Sequence, residues 1–171
     1  MLYRMGDCMN FCNKRLLITR ILLSVLTISL VVFIFANSSQ NAQDSSTASG
    51  RLMNFLNNIC TTLNINFTFT QQIVRTLAHF SEFGLLGVLS ISTSLSFFFI
   101  KARTLIYSTL FSVSIAIIDE CIQLFSDGRA FQFEDLAIDF AGAMLGIVGI
   151  FIISLLIYYG RLRIREGKTN G

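Results

Sequence analysis

The sequence contains little charge and no proline. Charged residues make up 13% of its 171 residues and hydrophobic residues 53%, whereas roughly 25% charged residues are usual in a soluble domain. This composition excludes an ordinary soluble protein. The absence of proline also excludes helices that are broken or kinked by that residue.

Several motif classes are missing as well. Cys8 and Cys12 lack a second pair of zinc ligands, and Cys60 and Cys121 are isolated, so neither a zinc motif nor a disulfide framework is indicated. The sequence has no G-x-S-x-G or H-E-x-x-H motif. Its net charge of +3 comes from bases that flank apolar segments rather than from one patch, so nucleic-acid binding is not predicted.

Four apolar segments are long enough to cross a bilayer as helices. A helix of about 20 residues spans the ~30 Å hydrocarbon core. We therefore predict an all-α, polytopic membrane protein with transmembrane helices at residues 16–36, 77–100, 104–125 and 136–159. The first span is predicted to be retained, because its apolar run exceeds a usual signal-peptide core and no convincing cleavage site follows.

The basic residues predict the orientation of these spans. Ten of the thirteen bases precede the first span or lie in its first turns, lie between the second and third, or follow the fourth. Because short cytoplasmic segments carry the excess of Lys and Arg, both termini are predicted to be cytoplasmic. This gives a cytoplasmic segment at residues 1–15, a multi-pass cell-membrane domain at 16–159 and a basic cytoplasmic tail at 160–171.

The connections are predicted from their composition. The outer loop at residues 37–76 begins with "NSSQNAQDSSTASG", a polar stretch typical of a flexible loop. An amphipathic helix on the outer membrane surface is predicted to follow, because apolar residues recur there at helical spacing. A short basic turn with Lys101 and Arg103 indicates an antiparallel hairpin of the second and third spans. Asp127-Gly128 indicates a turn before the fourth span.

Ionisable residues of three predicted spans fall at one depth near their outer ends. In the second span Arg75, His79 and Glu82 share one helical stripe. A charge at mid-bilayer costs at least a few kcal/mol on insertion scales, so these groups are predicted to line a polar pocket that opens outward. The predicted binding residues are Arg75, His79, Glu82, Asp119, Glu120, Gln123, Arg129, Asp135 and Asp139.

Small residues share the face of the fourth span that carries Asp135 and Asp139. Gly142 and Gly146 form a G-x-x-x-G pair, which allows two helices to approach closely in lipid. We read this pair as a helix-packing element. The acidic end of the same face is therefore predicted to point toward neighbouring helices rather than toward lipid.

At these residues the sequence resembles the VanZ-like family. The resemblance covers residues 73–150 and is carried by "RTLAHFSEF" and "DECIQLFSDGRAFQFEDLAIDFAGAMLG". Gly142 and all nine predicted binding residues fall on positions of the family's motif. The sequence departs at Phe83, where the family often has tyrosine, and at Ser126-Asp127, where a proline often precedes the glycine. The resemblance implies a cell-envelope protein linked to low-level teicoplanin resistance in Gram-positive bacteria.

Two functions are compatible with such a pocket. The first is binding of a membrane lipid, a lipid-linked envelope precursor or a lipoglycopeptide at the lipid–water boundary. The second is an integral membrane enzyme that modifies a lipid-linked envelope substrate. Its general base would be His79 or Glu82, and the neighbouring acids would tune that base; the candidate catalytic residues are His79, Glu82, Asp119 and Glu120.

Other properties stay open at the level of sequence. An ion- or proton-coupled carrier is a third reading, since acids and a histidine within a membrane can form a relay. No cofactor is predicted, although one histidine with carboxylates can suit divalent Mn, Mg or Zn without a recognised ligand spacing. Four helices are few for a self-contained cleft, so a homo-oligomer is compatible with the sequence.

Overall fold

The computed structural model describes residues 2–98, 100, 102–129 and 131–169, with side chains described only between residues 14 and 164 of these ranges. The predictions made above for Cys8, Cys12 and Lys101 lie outside the described side chains. The same holds for residues 1–13 of the predicted N-terminal segment and 165–171 of the predicted tail.

The described residues form five helices and no strand. Four of the helices are long and apolar enough to cross a membrane, over Lys14–Ser38, Gln71–Phe97, Ala102–Leu124 and Phe133–Ile164. The prediction of an all-α protein with four apolar spans is thereby confirmed. The helices are α1 (Leu2–Ser38), α2 (Ala42–Thr62), α3 (Gln71–Phe97), α4 (Ala102–Leu124) and α5 (Phe133–Thr169).

The polar stretch that was predicted to be a flexible loop is largely helical. Helix α2 already begins at Ala42, because the Asn41 side chain caps it by accepting a hydrogen bond from the Asp44 backbone N–H, 2.8 Å away. Asp44 in the first turn also suits the positive end of the helix dipole. The Ala42 N–H donates to the Asp127 carbonyl at 3.0 Å, so the start of α2 is tied to the α4–α5 loop. The loop prediction for residues 42–50 was wrong.

Helix α3 occupies the centre of the bundle. It begins at Gln71, six residues before the predicted span, because Thr70 caps it by accepting a bond from the Ile73 N–H. It contacts α1, α2 and α4, and it packs most extensively against α5. Phe83 and Leu86 of α3 are fully buried in the core between the helices.

The α3–α5 interface is close because glycines meet backbone across it. A Cβ atom at Gly146 would collide with the Gly84 carbonyl oxygen, and one at Gly142 would collide with the Phe80 carbonyl oxygen. From the opposite side, a Cβ at Gly87 would collide with the Ala143 carbonyl. These contacts bring the polar residues near the start of α5 against the first turns of α3.

Candidate functional site

The centre of the site is a histidine–carboxylate pair between α3 and α5. His79 Nδ1 lies 3.3 Å from Asp139 Oδ1, with the two side chains 16% and 0% exposed. Roughly one turn further along the two helices, Gly84 of α3 packs closely against Gly142 and Gly146 of α5, and this packing brings His79 and Asp139 together. The pair does not meet hydrogen-bond geometry, and these two atoms find no other hydrogen-bond partner within the described part of the chain.

Helix α4 adds Asp119 to this pair. Asp119 is fully buried and accepts hydrogen bonds from the hydroxyl of Ser38 and from Gln123 Nε2, the latter at 3.1 Å. Gln123 lies one turn after Asp119 on the same helix, so the two side chains meet at i and i+4. One ligand atom each from His79, Asp119 and Asp139 lies within 4.8 Å of the other two. Three helices thus converge on one small cluster.

The end of α1 also contributes, which sequence reasoning missed. Ser38 binds Asp119, and Asn37 Nδ2 donates to Glu82 Oε1 at 3.1 Å. The available signal was the change from apolar to polar residues at the end of the first span. That signal was read as the start of a loop, so these two residues were not placed in the pocket.

Two predicted residues point elsewhere. Glu120 is fully buried but faces the α4–α5 loop, where it accepts a hydrogen bond from the Gln132 backbone N–H. Asp135 lies in the first turn of α5 and lines a separate cavity of about 450 Å³, together with Arg75, Gln71 and Gln72. The sequence pattern placed all of these acids in one layer, whereas the structure divides them between neighbouring sites.

Arg129 enters the site from the α4–α5 loop. The preceding Gly128 has φ of +76°, a left-handed conformation that favours glycine, and this turn directs the chain back toward the bundle. Burial lowers the pKa of Arg129 from its usual value, and the neighbouring positive charge of Arg75 lowers this pKa further. The Arg129 guanidinium nevertheless stays charged at neutral pH, because an arginine side chain is not deprotonated in proteins.

A cavity of about 290 Å³ opens between the end of α1, α2, the start of α3 and the α4–α5 loop. His79 connects it to Asp139, since it lines the cavity and contacts that carboxylate. Neither Glu120 nor Asp135 is among the described residues that line it. The lining residues are Asn37, Ser38, Gln40, Ser45, Ala48, Ser49, Leu52, Val74, Arg75, Ala78, His79, Glu82 and Arg129.

Comparison with known protein families identifies a match to this chain. The sequence profile of the family described as VanZ/LLP1 matches residues 23–156, which is most of the chain. This range begins within α1 and extends beyond Asp139, so it includes every residue of the cavity and of the histidine–carboxylate cluster. No curated protein and no solved structure matches the chain.

Proposed function

This chain belongs to the VanZ/LLP1 family, and we propose that it is a membrane binding protein for an amphiphile of the cell envelope. The ligand is an envelope lipid, a lipid-linked envelope precursor or a lipoglycopeptide. Its polar group binds in the cavity between α1, α2 and α3, and its acyl chain lies along the apolar surface of the bundle. Binding of teicoplanin, which carries a fatty chain, would produce low-level resistance.

The observation that carries this proposal is the pair of arginines at the cavity. Arg75 and Arg129 both line it, and Arg129 Nε is buried without a hydrogen-bond partner among the described residues. A buried donor left without an acceptor costs about 1–3 kcal/mol, so a ligand oxygen here would be strongly favoured. Two neighbouring guanidinium groups suit an anionic group such as phosphate or carboxylate, which arginine can bind through two parallel hydrogen bonds.

An apolar surface adjoins the polar recesses. Arg75 lines the 290 Å³ cavity and also the 450 Å³ cavity that contains Asp135. Thr76 and Ile138 of this second cavity also line an apolar groove of about 460 Å³ between α3 and α5, together with Leu77, Phe80, Ala137 and Ala141. A polar recess beside an apolar groove fits a molecule with one polar end and one acyl end.

The proposal is tested by antibiotic susceptibility in a sensitive Gram-positive host. We expect expression of the protein to raise the inhibitory concentration of teicoplanin more than that of vancomycin. Arg129→Gln should abolish this difference, because each hydrogen bond to a charged group contributes about 1.5–3 kcal/mol, or roughly 10- to 100-fold in affinity. Arg51→Gln is the matched control, because Arg51 is an exposed residue of α2.

Membrane abundance must be measured for every variant, so that loss of protein is not mistaken for loss of binding. Equal teicoplanin susceptibility with and without the protein would contradict the resistance role. Binding itself is measured with purified protein in nanodiscs, by titrating teicoplanin and, separately, vesicles that contain anionic envelope lipid. Wild-type affinity in Arg129→Gln for both ligands would contradict the proposed pocket.

A second candidate function is favoured by the His79–Asp139 contact. A general-base histidine is often oriented by a neighbouring carboxylate; Asp139 lies 3.3 Å from His79, and this histidine lines the same cavity. In this case the bound lipid-linked precursor would be modified rather than only held. Incubation of the purified protein with such a precursor, followed by mass spectrometry, separates the two functions. A product that requires His79 favours the enzyme.

A further inference from the structure

Three side chains from three helices form a compact set of possible metal ligands. His79 of α3, Asp119 of α4 and Asp139 of α5 each offer one ligand atom, and these atoms lie within 4.8 Å of one another. In the tetrahedral geometry usual for Zn²⁺, ligand atoms at 2.0–2.2 Å from the ion lie roughly 3.3–3.6 Å apart. Side-chain rotations that shorten the longest separation by about 1 Å would therefore bring the three atoms onto one cation.

The second observation is that Asp139 has no hydrogen-bond partner among the described residues, although His79 lies beside it. Asp139 is fully buried, and neither of its carboxylate oxygens has a hydrogen-bond partner among the residues that the structure describes. His79 Nδ1 also lacks one, although it faces Asp139 Oδ1 at 3.3 Å. An ionised carboxylate is not buried in this way unless it is paired or coordinates a metal. The orphaned atoms of both residues point to a missing positive ligand.

The surrounding charges lead to the same conclusion. Asp119 and Asp139 are fully buried, whereas Arg75 and Arg129 are only half-buried. Within the described residues, neither arginine makes an ion pair with these carboxylates. The interior of the site therefore contains more negative than positive charge. One divalent cation between Asp119 and Asp139 would neutralise both carboxylates.

We propose that His79, Asp119 and Asp139 bind a divalent cation, and that this set of ligands suits Zn²⁺ or Mn²⁺. An imidazole nitrogen suits these first-row ions better than Ca²⁺ or Mg²⁺, which prefer oxygen ligands alone. Ser38 and Gln123 would hold the Asp119 carboxylate in position, the task that outer-shell hydrogen bonds have in metal sites. Since His79 also lines the 290 Å³ cavity, the cation would lie beside the cavity. The inference goes beyond the proposed binding function and does not depend on it.

The test measures metal on the full-length protein, purified in detergent with a tag that contains no histidine. After equilibration with Zn²⁺ or Mn²⁺ and removal of free metal, elemental analysis should find one ion per chain. Titration calorimetry should show that His79→Gln and Asp139→Asn weaken binding by more than the roughly 10- to 100-fold that loss of an outer-shell partner costs. Asp127→Asn, a change at an exposed carboxylate of the α4–α5 loop, should bind like the wild type.

The stability of the protein gives a second measurement. A chelator should lower the melting temperature of the wild type and of Asp127→Asn, and should leave that of Asp139→Asn unchanged. If Asp139→Asn does not fold, His79→Gln provides the same comparison, because His79 is partly exposed. Wild-type protein that binds neither ion, or metal that stays bound with wild-type affinity in His79→Gln, would overturn the proposal. Both results would leave the Arg129 experiments unaffected.

Discussion

Asp119 shows how an acidic residue is accommodated in an apolar helix. It is fully buried in α4, and donors from two different elements approach its carboxylate, the Ser38 hydroxyl at the end of α1 and the Gln123 amide of α4. Each donor satisfies one oxygen. The carboxylate therefore fixes the position of the end of α1 relative to α4, besides contributing to the candidate site.

Replacing Ser38 with alanine should destabilise the protein by about 1–3 kcal/mol, because the buried carboxylate loses one of its two donors. The neighbouring Ser39→Ala is the matched control, since the exposed Ser39 hydroxyl donates to the Phe35 carbonyl of the last turn of α1 and to no other described residue. The measurement is thermal unfolding of both variants in detergent. Equal melting temperatures for the two variants would show that the Ser38–Asp119 bond contributes no stability.

For single residues, the sequence predicted which acidic side chains are buried better than it predicted their hydrogen-bond donors. The sequence placed His79 on the stripe of α3 that faces the predicted pocket, and it assigned Asp119 and Gln123 to the same pocket. Glu120 differs, because its partner is a backbone N–H in the α4–α5 loop. A loop conformation is not encoded in helical spacing, so that contact could not be found from the sequence.

The α3–α5 pair shows how far the packing of whole helices can be predicted from the sequence. Gly142 and Gly146 of α5 were visible as a G-x-x-x-G pair. The sequence did not show that Gly84 and Gly87 of α3 would lie opposite them, because the register of two packed helices depends on the surrounding side chains as well. Helix α2 is a similar case. Its polar first half resembles a loop in composition, but its start is fixed by the Asn41 cap and by the Asp127 carbonyl.

The glycine contacts predict that two glycine-to-alanine substitutions in α5 differ strongly in their effect on protein stability. Gly146→Ala would place a methyl group against the Gly84 carbonyl and the Val88 N–H, both backbone groups that cannot rotate away. We expect a loss of about 1–3 kcal/mol, as for other overpacked interiors. At Gly149 a Cβ meets nothing within 4 Å, so Gly149→Ala should be neutral or slightly stabilising, since alanine favours a helix by roughly 0.5–1 kcal/mol. Thermal unfolding compares the two, and a well-tolerated Gly146→Ala would contradict the close approach.

The whole molecule has a polar end, and the site is located there. The end of α1, helix α2, the start of α3 and the α4–α5 loop line the 290 Å³ cavity, and the first turns of α5 reach this end through the contact of Asp139 with His79. The opposite end of the bundle contains the α3–α4 turn. These two ends belong to opposite sides of the membrane if α1, α3, α4 and α5 each cross it once. The side on which the α4–α5 loop lies therefore also decides which compartment supplies the ligand.

The distribution of basic residues predicts that the polar end is extracytoplasmic. To test this, Asp127→Cys in the α4–α5 loop and Arg103→Cys near the α3–α4 turn are introduced separately into a variant whose four native cysteines are replaced by serine. Both positions are exposed, so accessibility within the protein is matched and only the side of the membrane differs. A membrane-impermeant maleimide should label Asp127→Cys in intact cells and Arg103→Cys only after permeabilisation. The reverse pattern would place the cavity in the cytoplasmic leaflet, where it could not meet an antibiotic that arrives from outside.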